Sequence, residues 1–260
     1  MFNFFKNNNN NNNSGTNGNG APSLNHPQQI KLNLSKEEAL LQLDLRKEKV
    51  SNICMGIPAL KDMKSKVALV LDFSGSMEGM FRDGTVQSVI ERIIPIALQF
   101  DDNQELDFWI FENGFKRLQP ITKNNFYGLA EKIYNQYSMG GTKYSPVMRD
   151  VIKKYSVDEP SDLPAYVLFI TDGDNFDKSQ TTTIITDNCT KPIFWQCVGV
   201  GTARKDYLQQ LDDLPNREMD NVDFFNINNP NAISDEELYN KLFDEYPSWV
   251  IEARRNGIIR

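Results

Sequence analysis

From residue 64 onward the sequence predicts an α/β fold with a doubly wound, mostly parallel, six-stranded sheet and one antiparallel edge strand. Three observations carry this reading. Strand-like apolar runs alternate with stretches of helical periodicity along the chain. Two of those runs, VALVLD (67–72) and AYVLFITD (165–172), are continuously apolar, as strands buried on both faces are, and each ends in an aspartate. Finally, LDFWIF (106–111) and FKRL (115–118) flank Glu112-Asn113-Gly114. Asn-Gly between two apolar runs is a strong hairpin signal, so these two strands are expected to be antiparallel neighbours.

Ahead of this domain, residues 1–28 form an asparagine-rich, low-complexity tail with seven consecutive asparagines (7–13). Such a segment has too little apolar surface to offset its ordering entropy, and disorder is expected. The sole histidine, His26, falls here and is read as functionally silent. Phe2, Phe4 and Phe5 allow a short docking motif, but a solvated tail is the simpler reading. Residues 29–63 read as a helical segment and linker. Ser35 and Glu38 fit a capping box, and Leu41 and Leu45 share one helical face. Leu41, Leu43 and Leu45 also alternate as a strand would; the capping box and the lack of β-branched residues favour a short helix, with Cys54–Asp62 as linker.

Within residues 64–260, Thr85–Phe100 has helical spacing around Pro95, which should bend it. Phe126–Tyr134 marks a further helix. In MGGTKYSPV (139–147) the two glycines are expected to free the backbone for a sharp bend with Thr142 at its apex. Ser145-Pro146 reads as N-cap and N1 of a helix reaching Tyr155. A helix near 178–188, strand 192–201, helix KDYLQQLDDL and strand 222–227 follow. Ser234 with Glu237 suggests another capping box, and Pro247 starts a last helix that Gly257 stops.

Composition narrows the function. At 260 residues with 40% hydrophobic and 24% charged residues, the chain has material for a real core. A net charge of −7, with no basic cluster, argues against nucleic acid as partner. No apolar run approaches the ~18 residues of a membrane span. The start lacks a signal-peptide h-region, a myristoylation glycine follows no Met1, and no prenylation box closes the chain. Three cysteines without metal-ligand spacing fit reduced, buried thiols, and a cytoplasmic location is expected.

The chemistry concentrates in Asp72, Ser74 and Ser76, with Gly75 between the serines. A carboxylate and two hydroxyls on the turn leaving a buried strand can converge on one point. They offer only oxygen, which suits Mg2+ or Ca2+, and no histidine or cysteine is near to suggest zinc. Ligands of doubly wound sheets bind beyond the carboxyl ends of the strands. If the two acid-ending strands are adjacent, Asp72 and Asp172 face one another, and a divalent cation resolves their repulsion. The Gly-Gly-Thr loop adds Thr142 as a further candidate. Mg2+ is favoured for its abundance and the compact ligand set, with Mn2+ or Ca2+ as alternatives.

These residues resemble a von Willebrand factor A (vWA) domain with a metal-ion-dependent adhesion site (MIDAS). The family pattern Asp-x-Ser-x-Ser, a distant Thr and a distant Asp-Gly is similar to Asp72, Ser74, Ser76, Thr142 and Asp172-Gly173. DDNQELD, MGGTKYSPVM, KPIFWQCVGVG, LDDLPNREMDNVDFF and SDEELYNKLFDEYPSWVIEARRNGII look like the tellurium-resistance-associated subgroup. The resemblance spans about Ile30 to Arg260. It implies a Rossmann-like sheet in strand order 3-2-1-4-5-6. It also implies a cation held by Asp72, Ser74 and Ser76, with Thr142 entering or leaving the shell and Asp172 acting directly or through water. One position is then open to an Asp or Glu of a partner protein. The implied function is metal-dependent protein binding rather than enzyme catalysis, with a possible setting in tellurium resistance or chemical stress.

Rival readings are weaker. A phosphohydrolase of haloacid-dehalogenase type would want an acid two residues after Asp72, where Ser74 stands. Gly199-Val200-Gly201 lacks the third glycine of a dinucleotide loop. Serine hydrolysis has no histidine to serve it. Asp174 and Asp177 could form a second cation site, but a solvated helix N-terminus explains them more cheaply. Trp109, Trp195 and Trp249 are expected in the core. A vWA domain whose metal is purely structural is the remaining alternative.

Overall fold

The apolar runs end where polar residues and glycines begin, and the elements follow those limits. A computed structural model describes residues 30–260; the asparagine-rich tail (1–28), with His26 and Phe2, Phe4 and Phe5, lies outside the described residues. The chain runs α1 (Lys36–Gly56), β1 (Lys66–Asp72), α2 (Glu78–Arg82), α3 (Thr85–Phe100), β2 (Leu106–Phe111), β3 (Phe115–Ile121), α4 (Leu129–Gln136) and α5 (Ser145–Lys153). It continues through β4 (Ala165–Thr171), α6 (Lys178–Asp187), β5 (Ile193–Val200), α7 (Asp206–Asp212), β6 (Val222–Ile227), α8 (Asp235–Leu242) and α9 (Tyr246–Arg255).

The strands form one six-stranded sheet in the order β3-β2-β1-β4-β5-β6. Only the β2–β3 pair is antiparallel, closing at Phe111 opposite Phe115, as the Asn-Gly turn predicts. Strands β1 and β4 are parallel neighbours with Leu71 opposite Ile170, so both acid-ending strands finish side by side.

Period-2 geometry sends alternate residues of each strand to opposite faces. Val67, Leu69 and Leu71 of β1 join Tyr166, Leu168 and Ile170 of β4 in a core beneath α1, α3, α8 and α9. Ala68, Val70, Val167 and Phe169 pack on the other face with α5, α6 and α7. Both faces being covered is why these strands read as unbroken apolar runs. Truncating a residue such as Leu69, which is fully buried, to Ala should cost about 2–5 kcal/mol. Trp109, Trp195 and Trp249 are all buried, as expected.

Several local expectations need correction. Helix α1 is long, not short, and its last turn takes in Cys54, assigned to a linker on sequence. The capping box at Ser35 and Glu38 is present. The buried face is Ala39, Leu43, Val50 and Cys54, while Leu41 and Leu45 are exposed. Polar anchors set that rotation: Arg46 bonds the Asp235 carboxylate at 3.0 Å and the Glu91 carbonyl at 3.3 Å. Asp235 also accepts from buried Arg92 at 2.6 Å, so α1, α3 and α8 share one charged junction. Helix α3 spans Thr85–Phe100 with Pro95 inside it, the extent expected from the sequence. At the start of α8, Ser234 accepts from the Glu237 backbone N–H.

Helix α5 starts one residue early, with Tyr144 rather than Ser145 at its N-cap position. Its leading N–H groups are taken by a residue far along the chain. Asp177 accepts from Tyr144 N at 3.0 Å and Ser145 N at 2.9 Å.

Candidate metal centre

Adjacent parallel strands deliver the site. Asp72 closes β1 and is fully buried. Its Oδ1 accepts from the Ser74 backbone N–H at 2.8 Å, bending the chain straight after the strand. Its Oδ2 accepts from Thr171 Oγ1 at 2.5 Å, the last residue of the neighbouring β4. Both oxygens of Asp72 are therefore oriented before any ligand arrives.

From there a string of oxygens leads outward. Ser74 Oγ lies 3.0 Å from Ser76 Oγ, and Ser76 donates to Asp172 Oδ1 at 2.8 Å. Ser74 is 2% and Asp172 7% exposed, whereas Ser76 between them is open to solvent, so the string reaches the surface at its middle member. Asp72, Ser74, Ser76 and Asp172, singled out from the sequence, are thus brought together.

Thr142 sits beside them on the loop after α4. Gly75 N donates to the Gly140 carbonyl at 3.0 Å, and Thr142 O accepts from Phe176 N at 3.0 Å. The Thr142 loop is thereby tied to both acid-bearing loops. Its hydroxyl is not part of the hydrogen-bonded string. The two glycines earn their place differently from the expected sharp bend. A Cβ on Gly140 would lie 2.5 Å from Glu112 Oε2, and one on Gly141 2.6 Å from Asn113 Oδ1. The side chains of Glu112 and Asn113 on the β2–β3 turn lie over bare backbone there and would have to shift to admit a Cβ.

Burial drives the titration of the acids. Asp72 is pushed up to about 6 by desolvation, which hydrogen bonds from Thr171 and Ser74 oppose and the charge of Asp172 reinforces. Asp172 is also raised by burial, against the hydrogen bond from Ser76 and the charge of Lys205. Lys205 is itself buried, its ammonium donating to the Gly201 and Ala203 carbonyls at 3.0 and 2.8 Å. Burial lowers its pKa, while Asp172 and Asp174 pull the other way.

The donor set fits a hard cation. An octahedral ion with oxygens at about 2.0–2.1 Å places neighbouring ligands about 2.9 Å apart. Ser74–Ser76 at 3.0 Å and Ser76–Asp172 at 2.8 Å are hydrogen-bond distances compatible with that spacing.

Two residues here were missed on sequence. Thr171 reads as one more β-branched strand residue, and only its place before Asp172 hints that it borders the site. Lys205 was passed over as part of a helix-bearing segment. The suggested pair Asp174 and Asp177 is otherwise employed. Asp174 accepts from Lys178 Nζ at 2.6 Å, and Asp177 is buried rather than solvated. Burial pushes Asp177 up, but hydrogen bonds from Ser145, Tyr144 and Asn175 outweigh it and hold it below the usual carboxylate range.

The six-stranded, mostly parallel sheet in this strand order, covered on both faces, matches the vWA class of α/β domain. The family model described as "vWA found in TerF C terminus" matches residues 64–259, and the chain belongs to this TerF-like vWA family. It is 42% identical over 222 residues to the uncharacterized protein YcbR of Bacillus subtilis (strain 168), covering 84% of this chain and 90% of that protein. Among solved structures it is similar to the SpRpn10 VWA domain (TM-score 0.54, 11% identity, 69% of this chain and 95% of that one). It is also similar to proximal thread matrix protein 1 from the mussel byssus, solved with a zinc-occupied MIDAS motif. That match has a TM-score of 0.49 and 17% identity over 69% of this chain and 46% of that one, so this chain spans under half of its length. No helix among the described residues is long and apolar enough to cross a membrane.

Proposed function

We propose that this chain is a divalent-cation-dependent protein-binding module of the cytoplasm. Asp72, Ser74, Ser76 and Asp172, with Thr142, hold Mg2+, or Mn2+ or Ca2+ in its place, and an exposed Asp or Glu of a partner protein completes the shell. The observation that carries this is the run of oxygens at ligand spacing, from the end of β1 to the end of β4. When bound, the cation supplies a positive centre for the partner's carboxylate. The chain's own residues do the rest: Thr171 and the Ser74 N–H aim Asp72, and the buried surroundings strengthen each charge-assisted contact. vWA domains are commonly protein-interaction modules, which supports the same reading.

Binding is favoured over catalysis by the residues around Asp72. Ser74 stands two positions on, where a haloacid-dehalogenase-type phosphohydrolase would carry its second acid, and its hydroxyl is bonded to Ser76. Three free, buried cysteines support a reducing location. The subgroup's association with tellurium resistance suggests a chemical-stress setting.

Calorimetric titration of the full chain with Mg2+, Mn2+ and Ca2+, beside Asp72→Asn, tests the metal half. Saturable binding lost in the variant is expected, and no binding of any of the three ions would sink the proposal. Metal-dependent turnover of a phosphomonoester would overturn the assignment as a binding module.

A further inference from the structure

Of the large hydrophobic side chains exposed among the described residues, Phe176 is the most open, at 79%. It lies on the loop that carries Asp172. Its exposure is built rather than loose. Its backbone N–H is bonded to the Thr142 carbonyl, and both sequence neighbours are buried. Asn175 donates to Asp177 at 2.6 Å and Thr181 at 2.9 Å, while Asp177 caps α5. The ring is thus held out into water on a pinned ridge beside the candidate metal centre, where it gains nothing in folding.

The charges of the same rim point one way. Glu78 pairs with Arg82 at 3.4 Å and Asp174 with Lys178 at 2.6 Å, while Glu112 accepts from the Asn113 N–H. The exposed cations Lys143, next to Thr142, and Arg204, next to Lys205, enter no ion pair among the described residues. In a chain of net charge −7, two unpaired cations beside the site's loops favour an acidic occupant. Residues 1–29 contain no Asp or Glu, so the chain's own tail cannot supply a side-chain carboxylate.

We propose that Phe176 is the apolar anchor of the partner-binding face, and that the partner offers an acidic segment with an apolar side chain next to its metal-binding Asp or Glu. The apolar side chain packs on Phe176, and further acids face Lys143 and Arg204. This rests on the metal-dependent binding proposed above and adds the sequence character of the partner.

The test is selection of random displayed peptides on the full-length chain, in Mg2+ and in chelator, with wild type, Phe176→Ala and the double variant Lys143→Glu/Arg204→Glu. Wild type is expected to enrich, in Mg2+ only, peptides with an acid beside an apolar residue and a surplus of other acids. Phe176→Ala should keep the acid and lose the apolar preference. It should bind wild-type-selected peptides roughly tenfold more weakly by fluorescence anisotropy. Its Mg2+ midpoint and melting temperature should stay unchanged, and Phe176→Leu should retain most of the affinity. The double variant should lose the surplus of acids. An apolar preference that persists on Phe176→Ala, or acid-only peptides on wild type, overturns this inference and leaves metal-dependent binding standing. Mg2+-dependent self-association that needs Phe176 makes a second copy the occupant and also overturns it. Enrichment that ignores chelator and acids refutes the underlying function itself.

Discussion

Two groups of carboxylates stand in this molecule, one at the ends of the central strands β1 and β4 and one where the edge strand β6 begins. In the central group each acid is met by a donor: Asp72 by Thr171 and the Ser74 N–H, Asp172 by Ser76. At the edge, carboxylate oxygens of Asp212, Asp223 and Glu245 lie within 4.8 Å of one another. Asp223 has Gln196 at 2.8 Å, but Asp212 has only a long contact of 3.4 Å from Gln209. Asp212 is pushed up to about 7 by burial and then by the charges of Glu245, Asp223, Asp213 and Asp220. Asp72 is the more deeply buried of the two, yet rises only to about 6, because hydrogen bonds oppose its desolvation. Crowded acids alone relieve their repulsion by taking up a proton. Acids interleaved with hydroxyls and N–H groups stay closer to ionised and keep ligand spacing.

That contrast is broken most directly by paired substitutions. Asp172→Asn should weaken Mg2+ binding by about 100-fold or more, since a charged oxygen ligand is lost, while Asp212→Asn leaves the isotherm unchanged. Calorimetry on both variants decides it. Equal losses would mean that the edge cluster holds the ion. The fold should survive Asp172→Asn, and chelated protein should melt no lower than wild type, because one of two neighbouring charges has gone.

Thr171→Val comes next. It keeps the shape of the side chain and removes the hydroxyl that aims Asp72, and such outer partners are worth about 10–100-fold in metal affinity. Thr171→Ser should restore most of it. Unaltered Mg2+ affinity in the valine variant would make the hydroxyl a mere filler of the β1–β4 seam.

A pH titration sharpens the edge side of the comparison. The folded-state pKa of Asp212, about 7, stands above an unfolded value near the ordinary 3.9. Between those values the folded chain holds more protons, so stability from this group is full at low pH and falls as pH rises toward 7. Asp212→Asn should flatten that fall and melt a few degrees higher than wild type at pH 8, with chelator present to silence the central site. Identical slopes in the two proteins would dissociate the edge cluster from acid-linked stability.

How much of this was legible in the sequence follows from the range of each interaction. The buried strands and their terminal acids come from continuous apolar runs, a local signal. The sheet order that pairs Asp72 with Asp172 was implied only by the resemblance to the vWA family. The Asn-Gly turn is equally local. What escaped depends on partners distant in sequence. The rotation of α1 hides Leu43 rather than Leu41 because Arg46 reaches Asp235, a pairing across 189 positions. The start of α5 is capped by Asp177, and Gly140 and Gly141 are bare because the β2–β3 turn lies on them. Thr171 was illegible for a related reason: a hydroxyl on a buried strand looks like packing until its neighbour across the sheet is known.

Thr142→Ala should have the smallest effect on the metal and yet a clear one on the partner. The loop would stay in place, because its ties are backbone ones that alanine keeps: Thr142 O to Phe176 N, and Gly140 O to Gly75 N. The hydroxyl stands outside the bonded string that joins Ser74, Ser76 and Asp172, so its loss strands no buried donor or acceptor. Four candidate ligands remain, and Mg2+ affinity should fall by less than about tenfold, below the loss from Asp172→Asn. The partner's carboxylate, by contrast, needs the shell in its binding-competent arrangement. Thr142 is the ligand expected to enter or leave it, and losing one half of a desolvated charge pair costs about 2–5 kcal/mol, roughly 30-fold or more. Titrating Mg2+ and a metal-dependent acidic peptide against wild type and Thr142→Ala separates the two. Peptide affinity should drop further than Mg2+ affinity. Equal drops would make Thr142 an ordinary permanent ligand, and a metal loss matching Asp172→Asn would place its hydroxyl in the shell from the start.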